Sequence, residues 1–340
     1  MRVSFFPKKQ ISVPLPLRRI RPRRVFFLSR IESMTRSRLI AYTALLATAV
    51  IWGAASPVIK FTLGGIAAIP FLTYRFALSS LLALLLIPLG GLRLPRDRET
   101  LGLTLLYGFL TSTVALGLLF LGLERTTVLD LTFMALAGPL LVVAAGALFL
   151  REHVSPRERL GIGTALAGTA LIALEPIIKN GGVSQLSGNI LIILYLLVNT
   201  ASAVLAKELM RKKVSPVSLT NLSFIVGFLT ILPLTVLDGD LEILFSTVRN
   251  LALPYHLGVL YMALLSGSLG YMLWVRGQRT IEIGEAAVFT YLQPLFAAPL
   301  AVLWLGEQIT VPFALGAGIV AAGVFIAEYK GRRVAHPHHR

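Results

Sequence analysis

The sequence predicts an all-α polytopic membrane protein of ten transmembrane helices, built as two inverted five-helix repeats. Three observations support this: an apolar composition, ten apolar runs of membrane-spanning length, and a motif that recurs about 155 residues later in the chain. The mean hydropathy is +0.78, and 14% of the 340 residues are charged. A soluble domain of this length needs a more highly charged surface, so most of this surface must face lipid.

Ten apolar windows are each long enough to cross about 30 Å of hydrocarbon at about 1.5 Å per residue. The predicted spans one to ten are 39–60, 68–89, 100–121, 127–149, 157–175, 188–207, 217–237, 255–275, 284–305 and 309–328. The loops between them are short, and the longest, 238–254, has room only for a short surface segment. The chain therefore divides into a basic N-terminal segment, 1–38, expected to be disordered, a first repeat, 39–175, a second repeat, 188–328, and a cytoplasmic tail, 329–340.

The distribution of positive charge predicts the orientation. Of the 32 Lys and Arg residues, 27 fall on one side of the predicted membrane, four on the other, and Arg75 lies within span two. By the positive-inside rule, both termini are cytoplasmic, and the expected location is the inner or plasma membrane. The basic residues are scattered over loops and tails and form no single folded surface, so no nucleic-acid partner is predicted.

Spans four and five of the first half match spans nine and ten of the second half in one constant register. The matched positions are Pro139 and Pro294, Glu152 and Glu307, Gly161 and Gly316, and Gly168 and Gly323. Because each half has five spans, an odd number, the second copy enters the membrane upside down relative to the first. Inverted repeats of this kind are the geometry of alternating access, with the substrate site between the halves.

The repeated motif resembles that of a known family. It comprises Pro139, Phe149-Leu150-x-Glu152, Ser155 and Gly161-x6-Gly168 in the first half, and Pro294, Trp304-Leu305-Gly306-Glu307, Thr310 and Gly316-x6-Gly323 in the second. It is similar to the paired EamA domains of the drug/metabolite transporter superfamily, over about residues 39–328. Trp52-Gly53 and Arg75-Phe76 also fit. The resemblance implies a ten-helix carrier that exports or exchanges amino acids, metabolites or drugs, and it does not specify the substrate.

Polar and aromatic residues inside the spans are the candidate site residues, because a polar group at the bilayer centre is costly unless it faces a partner or an aqueous cavity. The candidate substrate-binding residues are Trp52, Arg75, Asn199, Tyr271, Tyr291 and Gln293. For Arg75, snorkelling towards the interface or a structural ion pair are the alternatives. Asp130 and Glu285 occupy equivalent repeat positions and are the proton-coupling candidates, with stabilisation of a helix N-terminus as the alternative.

The remaining repeated residues are expected to form the framework. Glu152 and Glu307 are expected to interact with neighbouring helix termini, and the stripes of Gly and Ala in spans five and ten to let helices touch. Pro139 and Pro294 each remove an amide hydrogen from a helix and free a carbonyl oxygen. A tolerated kink, a hinge and a substrate-facing carbonyl all remain open for these prolines.

These observations predict a secondary transporter that moves a small organic solute outward by alternating access, coupled to protons. The alternative is a membrane-embedded enzyme acting on a lipid-linked substrate; it is disfavoured by the absence of Cys, the scarcity of His and the lack of an HExxH motif. A passive channel is disfavoured because no span carries a repeated polar stripe. No cofactor or metal is expected. The expected partners are the solute and the lipid bilayer, and a homodimer is left open.

Residues 1–31 contain no acidic residue and form a separate problem. Three interpretations stay open: a disordered tail that touches anionic lipid headgroups, an organellar transit peptide, or translation that begins at Met34. None of the three changes the predicted function.

Overall fold

The computed structural model describes residues 23–85, 94–149, 153–178, 183–238, 241–278 and 288–328. Within these ranges the regular structure is entirely helical, which confirms the predicted fold class. Nine described segments are long and apolar enough to cross a membrane. They are Ser37–Leu63, Ala68–Leu85, Arg98–Arg125, Val128–Phe149, Pro156–Ile177, Val183–Arg211, Pro216–Leu237, Leu253–Gln278 and Val311–Glu328, which are spans one to eight and span ten. Span nine is described as a shorter apolar helix, Val288–Leu303, so the count of ten stays a prediction.

The first helix begins earlier than span one was predicted to begin. It runs from Arg23 to Leu63, so residues 23–38 of the segment expected to be disordered are helical. The helix starts directly after Pro22, and no Pro or Gly occurs between Arg23 and Trp52 to interrupt it. The disorder prediction for residues 1–22 concerns a segment outside the described residues.

Spans three and eight each contain a π-helical segment, which was not predicted. Span three runs as Arg98–Gly108, the π segment Phe109–Ala115, and Leu116–Arg125. Span eight runs as Leu253–Leu260, the π segment Tyr261–Leu269, and Gly270–Gln278. An offset of about 155 residues superimposes most of one π segment on the other. The repeat therefore extends to local backbone geometry, and π segments inside α-helices are frequent at functional sites.

Spans four and nine are interrupted beside their equivalent prolines. Span four consists of Val128–Ala135 and Gly138–Phe149, joined by a tight turn in which the Ala137 amide donates to the Met134 carbonyl at 3.1 Å. Span nine begins as the 3₁₀ helix Val288–Leu292 and continues as Gln293–Leu303. The two interruptions lie beside prolines whose rings cannot donate the next hydrogen bond of an α-helix, although each span was predicted as one continuous helix.

Spans five and ten pack against each other through their small residues. A Cβ atom on Gly168 would lie 2.6 Å from the Val320 nitrogen, and one on Gly323 would lie 2.4 Å from the Ala165 nitrogen. Backbones approach this closely only where side chains are absent or small. The expected role of the stripes is confirmed, and the structure adds that each stripe is the partner of the other.

Loops predicted on the same side of the membrane meet at the same end of the bundle. At one end, Lys60 Nζ donates to the carbonyls of Leu123 and Thr126, each at 2.7 Å. At the other end, Lys212 Nζ lies 2.6 Å from Glu99 Oε1. By the orientation that the sequence predicts, we call these the outer end and the inner end. The loop between spans seven and eight contains one short helix, Leu241–Asn250, as its length predicted.

The bundle has an aromatic and aliphatic core and an apolar exterior. Phe71, Phe76 and Phe120 are fully buried at its centre, whereas Leu303 and Phe325 are 85% and 65% exposed. Large apolar side chains on the outside would aggregate in water and are suited to hydrocarbon. The outer surface is therefore consistent with a lipid-facing protein.

Candidate functional site

A cavity of about 490 Å³ lies between the two halves of the molecule. Both equivalent prolines, Pro139 and Pro294, line it, together with side chains of spans one, two, three, four, six, eight and nine. Interrupted helices from two inverted repeats that meet at one cavity are the arrangement used by secondary transporters for substrate sites. We call this space the central cavity.

Five of the six predicted substrate-binding residues line the central cavity: Trp52, Arg75, Asn199, Tyr291 and Gln293. They come from four different spans and from both halves of the chain. The structure therefore brings together residues that are far apart in sequence, although their role in binding stays a prediction.

Tyr271 is not with the other five, and its predicted place in the same site needs correction. It lines a second cavity of about 500 Å³ with Thr220, Asn221 and Arg276. Ser266, also on span eight, lines the central cavity instead. Ser266 lies within the π segment Tyr261–Leu269 and Tyr271 lies beyond it, and the two side chains face different neighbours.

The aromatic wall of the central cavity is fixed by contacts between the halves. Trp52 Nε1 donates to the Ser266 carbonyl at 3.0 Å, and the Trp52 ring lies 5.4 Å from that of Trp274. A Cβ atom on Gly270 would lie 2.7 Å from Trp52 Nε1. The indole group of Trp52 therefore occupies a defined position, held by a hydrogen bond and permitted by a glycine.

The polar groups of the cavity differ in whether they already form hydrogen bonds within the protein. The Tyr291 hydroxyl donates to Glu328 Oε1 at 3.1 Å, so its ring is the part best placed to contact a solute. Asn199 and Gln293 are half-buried and line the cavity with amide groups. An amide offers both donors and acceptors, which suits recognition of a polar solute.

Arg75 is the one charged residue among the described residues that line the central cavity. It is 5% exposed, and its Nε and Nη1 atoms are buried with no hydrogen-bond partner in the described part of the chain. Its guanidinium carbon lies 5.5 Å from the ring centre of Phe76 and 5.8 Å from that of Phe120. The structure shows neither snorkelling nor an ion pair with a described residue, which were the alternatives for this side chain.

Asp130 lies outside the central cavity, in a buried polar cluster near the outer end. It is 2% exposed, and its Oδ2 atom accepts hydrogen bonds from Gln185 Nε2 at 3.0 Å and Thr126 Oγ1 at 3.1 Å. It is also the third residue of span four, with Thr127 as the N-cap. Both the helix-end interpretation and the proton-coupling interpretation therefore remain. The second proton-coupling candidate, Glu285, lies outside the described residues.

Glu175 is a buried acidic residue that the sequence interpretation overlooked. It is 4% exposed at the outer end of span five, accepts a hydrogen bond from Thr310, and lies near enough to Asp130 for their charges to interact. The signal in the sequence is an acidic residue at the end of the apolar run of span five. Two buried carboxyl groups therefore share this region.

Glu307 joins the two halves at the outer end. Its Oε1 and Oε2 atoms accept the amide hydrogens of Val128 at 2.7 Å and Leu129 at 2.9 Å, which open span four. The expected contact with a helix terminus is confirmed for Glu307, whereas Glu152 lies outside the described residues. Burial raises the pKa of the Glu307 carboxyl, although the two amide hydrogen bonds and the Lys60 charge act in the opposite direction.

The family is decided by comparison with known proteins. The model of the EamA-like transporter family matches residues 39–174 and, separately, residues 186–329. The chain belongs to the EamA-like transporter family. Its resemblance to paired EamA domains is thereby confirmed, and the protein is a membrane transporter, not an enzyme, so the alternative of an enzyme acting on lipid-linked substrates is set aside.

This EamA protein is similar in sequence to other transporters over nearly their whole length. A probable terminal-alkyne amino-acid exporter of Streptantibioticus cattleyicolor is 26% identical over 86% of this chain and 95% of that protein. A probable amino-acid metabolite efflux pump of Salmonella typhimurium is 25% identical over 85% and 95%, and an uncharacterized transporter of Archaeoglobus fulgidus is 25% identical over 83% and 95%. A solved crystal structure has the same fold, with a TM-score of 0.58, 16% identity, and coverage of 89% of this chain and 99% of the other.

Proposed function

We propose that this EamA-family protein exports a small organic solute of the amino-acid or metabolite class by alternating access, driven by the proton gradient. The observation that carries the proposal is the central cavity of about 490 Å³, lined by equivalent prolines of two inverted repeats. Its volume suits one small solute. The names of two relatives, an amino-acid exporter and an amino-acid metabolite efflux pump, support the solute class.

The transport proposal is tested by a solute screen with the purified protein in lipid vesicles. Vesicles loaded with one candidate solute should take up the same labelled solute by counterflow, and an imposed pH gradient should drive net accumulation. Vesicles with a Trp52→Ala variant are the matched control, because that change enlarges the cavity and removes its aromatic wall. A protein that moves no amino acid, metabolite or related solute by counterflow would contradict the proposal.

Proton coupling is assigned to Asp130 within the same proposal. Carboxyl groups of Glu175 and Glu307 lie close enough to interact with it, and neighbouring acidic groups can share a proton. We expect Asp130→Asn to remove gradient-driven uptake at least about tenfold while counterflow persists, because exchange needs alternating access and no net proton movement. Both activities are measured in the same vesicles.

Controls separate Asp130 from other acidic groups at the outer end. Glu124→Gln alters an exposed carboxylate there and should leave both activities unchanged. Glu285→Gln tests the equivalent position of the second repeat by the same assay. If Asp130→Asn keeps full gradient-driven uptake, the assignment to Asp130 fails. If Glu285→Gln keeps it as well, both residues are helix-end charges only.

The orientation is also part of the proposal, with both termini in the cytoplasm of a cell whose inner or plasma membrane holds the protein. The native chain has no Cys, so single cysteines report location directly. Glu124→Cys and Asn250→Cys, both exposed at the outer end, should react with an impermeant thiol reagent added to intact cells. Arg96→Cys and Arg211→Cys should react only after lysis. External labelling of the second pair with protection of the first would reverse the orientation.

A further inference from the structure

The central cavity contains a buried positive charge that no described residue neutralises. Arg75 is 95% buried and lines the cavity, and its Nε and Nη1 atoms have no hydrogen-bond partner among the described residues. Charged side chains are almost never fully buried unless they are paired, because the desolvation cost is several kcal/mol. A group from outside the described chain, such as a ligand, is therefore needed to complete this arrangement.

The position of the guanidinium group is fixed before any ligand arrives. Its carbon lies 5.5 Å from the ring centre of Phe76 and 5.8 Å from that of Phe120, within range of cation–π attraction. Both rings are completely buried and therefore immobilised by packing. An arginine held between fixed rings presents its donors in a constant direction, which reduces the entropy lost when it binds an anion.

The charge balance of the cavity limits the kind of anion. Among the described residues that line it, no second cation and no acidic residue accompanies Arg75. A dianion such as a phosphate monoester would bring more negative charge than one guanidinium neutralises, and a solute whose only charge is a cationic ammonium group would be repelled. A carboxylate carries one charge and matches the planar fork of arginine with two parallel hydrogen bonds.

The rest of the cavity indicates what accompanies the carboxylate. Its walls combine aliphatic side chains, including Leu116, Leu131 and Met262, with the Trp52 ring and the two amides of Asn199 and Gln293. This surface suits an apolar or mildly polar body of modest size. We propose that the transported solute is a monocarboxylate, either a simple organic acid or a zwitterionic amino acid, whose carboxylate pairs with Arg75. The inference rests on the proposed transport function and specifies its substrate class.

Matched acids, amides and amines test the assignment by binding to the purified protein. The probes are 4-methylpentanoate, 4-methylpentanamide, 3-methylbutylamine and leucine, with 3-phenylpropionate, 3-phenylpropanamide and 2-phenylethylamine as an aromatic set. Binding is followed by quenching of tryptophan fluorescence and by the shift in unfolding temperature. We expect each acid, or leucine, to bind at least about tenfold more tightly than its uncharged or cationic counterpart, and Arg75→Gln to abolish that preference.

Two further variants keep the test decisive. Arg75→Lys retains the charge and loses the fork, so it should keep only part of the preference. Arg276→Gln is the matched control, since Arg276 lines the second cavity, and it should leave the preference intact. Without ligand, Arg75→Gln should unfold at the same temperature as the wild type or higher, because an unpaired buried charge is removed; a fall of several degrees would indicate a structural role and overturn the proposal.

The outcomes also separate this inference from the proposed function. Amides or amines that bind as tightly as the acids, a complete lack of acid binding, or an acid preference that survives Arg75→Gln would each overturn the assignment. If neutral or cationic solutes are transported while acids are not, the substrate class is wrong and the transport proposal stands. If acids bind through Arg75 but nothing is transported, the transport proposal fails and the binding site stands.

Discussion

Leucine in place of Gly168 or Gly323 should nearly abolish the yield of folded transporter. A Cβ atom on Gly168 would lie 2.6 Å from the Val320 nitrogen and 2.7 Å from the Gly316 carbonyl oxygen, and one on Gly323 would lie 2.4 Å from the Ala165 nitrogen. Backbone atoms cannot move aside as a flexible side chain can, so spans five and ten must separate. We expect a loss of about 3 kcal/mol or more, at the upper end of overpacking effects. The measurement is monodisperse yield and unfolding temperature in detergent.

The same two helices supply matched controls. A Cβ atom on Gly163 or Gly318 would have no neighbour within 4 Å, so both positions have room for a larger side chain. Gly163→Leu and Gly318→Leu should keep near-normal yield, and leucine has the better helix propensity. Equal damage from all four substitutions would contradict the helix contact and point to a general intolerance of bulk in these spans.

Removing the Glu307 carboxylate should have the second-largest effect on the stability of the protein. Glu307→Ala deprives the Val128 and Leu129 amides of acceptors that they reach at 2.7 Å and 2.9 Å. Hydrogen bonds to charged groups contribute about 1.5 to 3 kcal/mol each, and these two connect the second repeat to the first. We expect a clear fall in unfolding temperature. Glu124→Ala removes an exposed carboxylate at the same end and should have almost no effect.

The Glu307 contact should also control access to the central cavity. In the proposed transport cycle the outer end must open, and we expect the Glu307 hydrogen bonds to break when it does, so that they favour the closed state. Ser56 lines the cavity, and the chain has no native Cys to interfere with labelling. External thiol labelling of Ser56→Cys should therefore be faster in the Glu307→Ala background. An unchanged rate, with a normal response of Glu124→Cys, would show that this contact does not close the outer end.

Helix rotation was the main property that the sequence could not supply. Tyr271 was grouped with Trp52 and Gln293 because all three are aromatic or polar residues within spans, yet it lines the second cavity. In a soluble helix the polar face identifies the side that faces solvent. In these spans both the lipid-facing side and the buried side are apolar, so the sequence does not show which way a given residue points.

Long-range pairing was the second such property. Glu175 accepts a hydrogen bond from Thr310, 135 residues away, and Asp130 accepts one from Gln185, 55 residues away. Neither partner is implied by spacing along one helix. The lack of a described hydrogen-bond partner for Arg75 Nε and Nη1 is equally a result of packing, since the burial of Arg75 between Phe76 and Phe120 depends on how spans two and three meet.

The sequence by itself determined the helical membrane fold, the approximate positions of the spans, the repeat and the small-residue stripes, and it marked Pro139 and Pro294 as points where a helix loses a hydrogen bond. These features can be predicted because a segment that spans the bilayer must satisfy its own backbone hydrogen bonds over a fixed thickness. That requirement determines the length and hydropathy of the segment and the positions of its prolines and glycines. Tertiary structure alone decided which side chains share the central cavity and that Arg75 has no ion-pair partner among the described residues. Those outcomes depend on how helices with apolar residues on every side rotate and pack. The pattern of residues along the sequence does not indicate this rotation or packing.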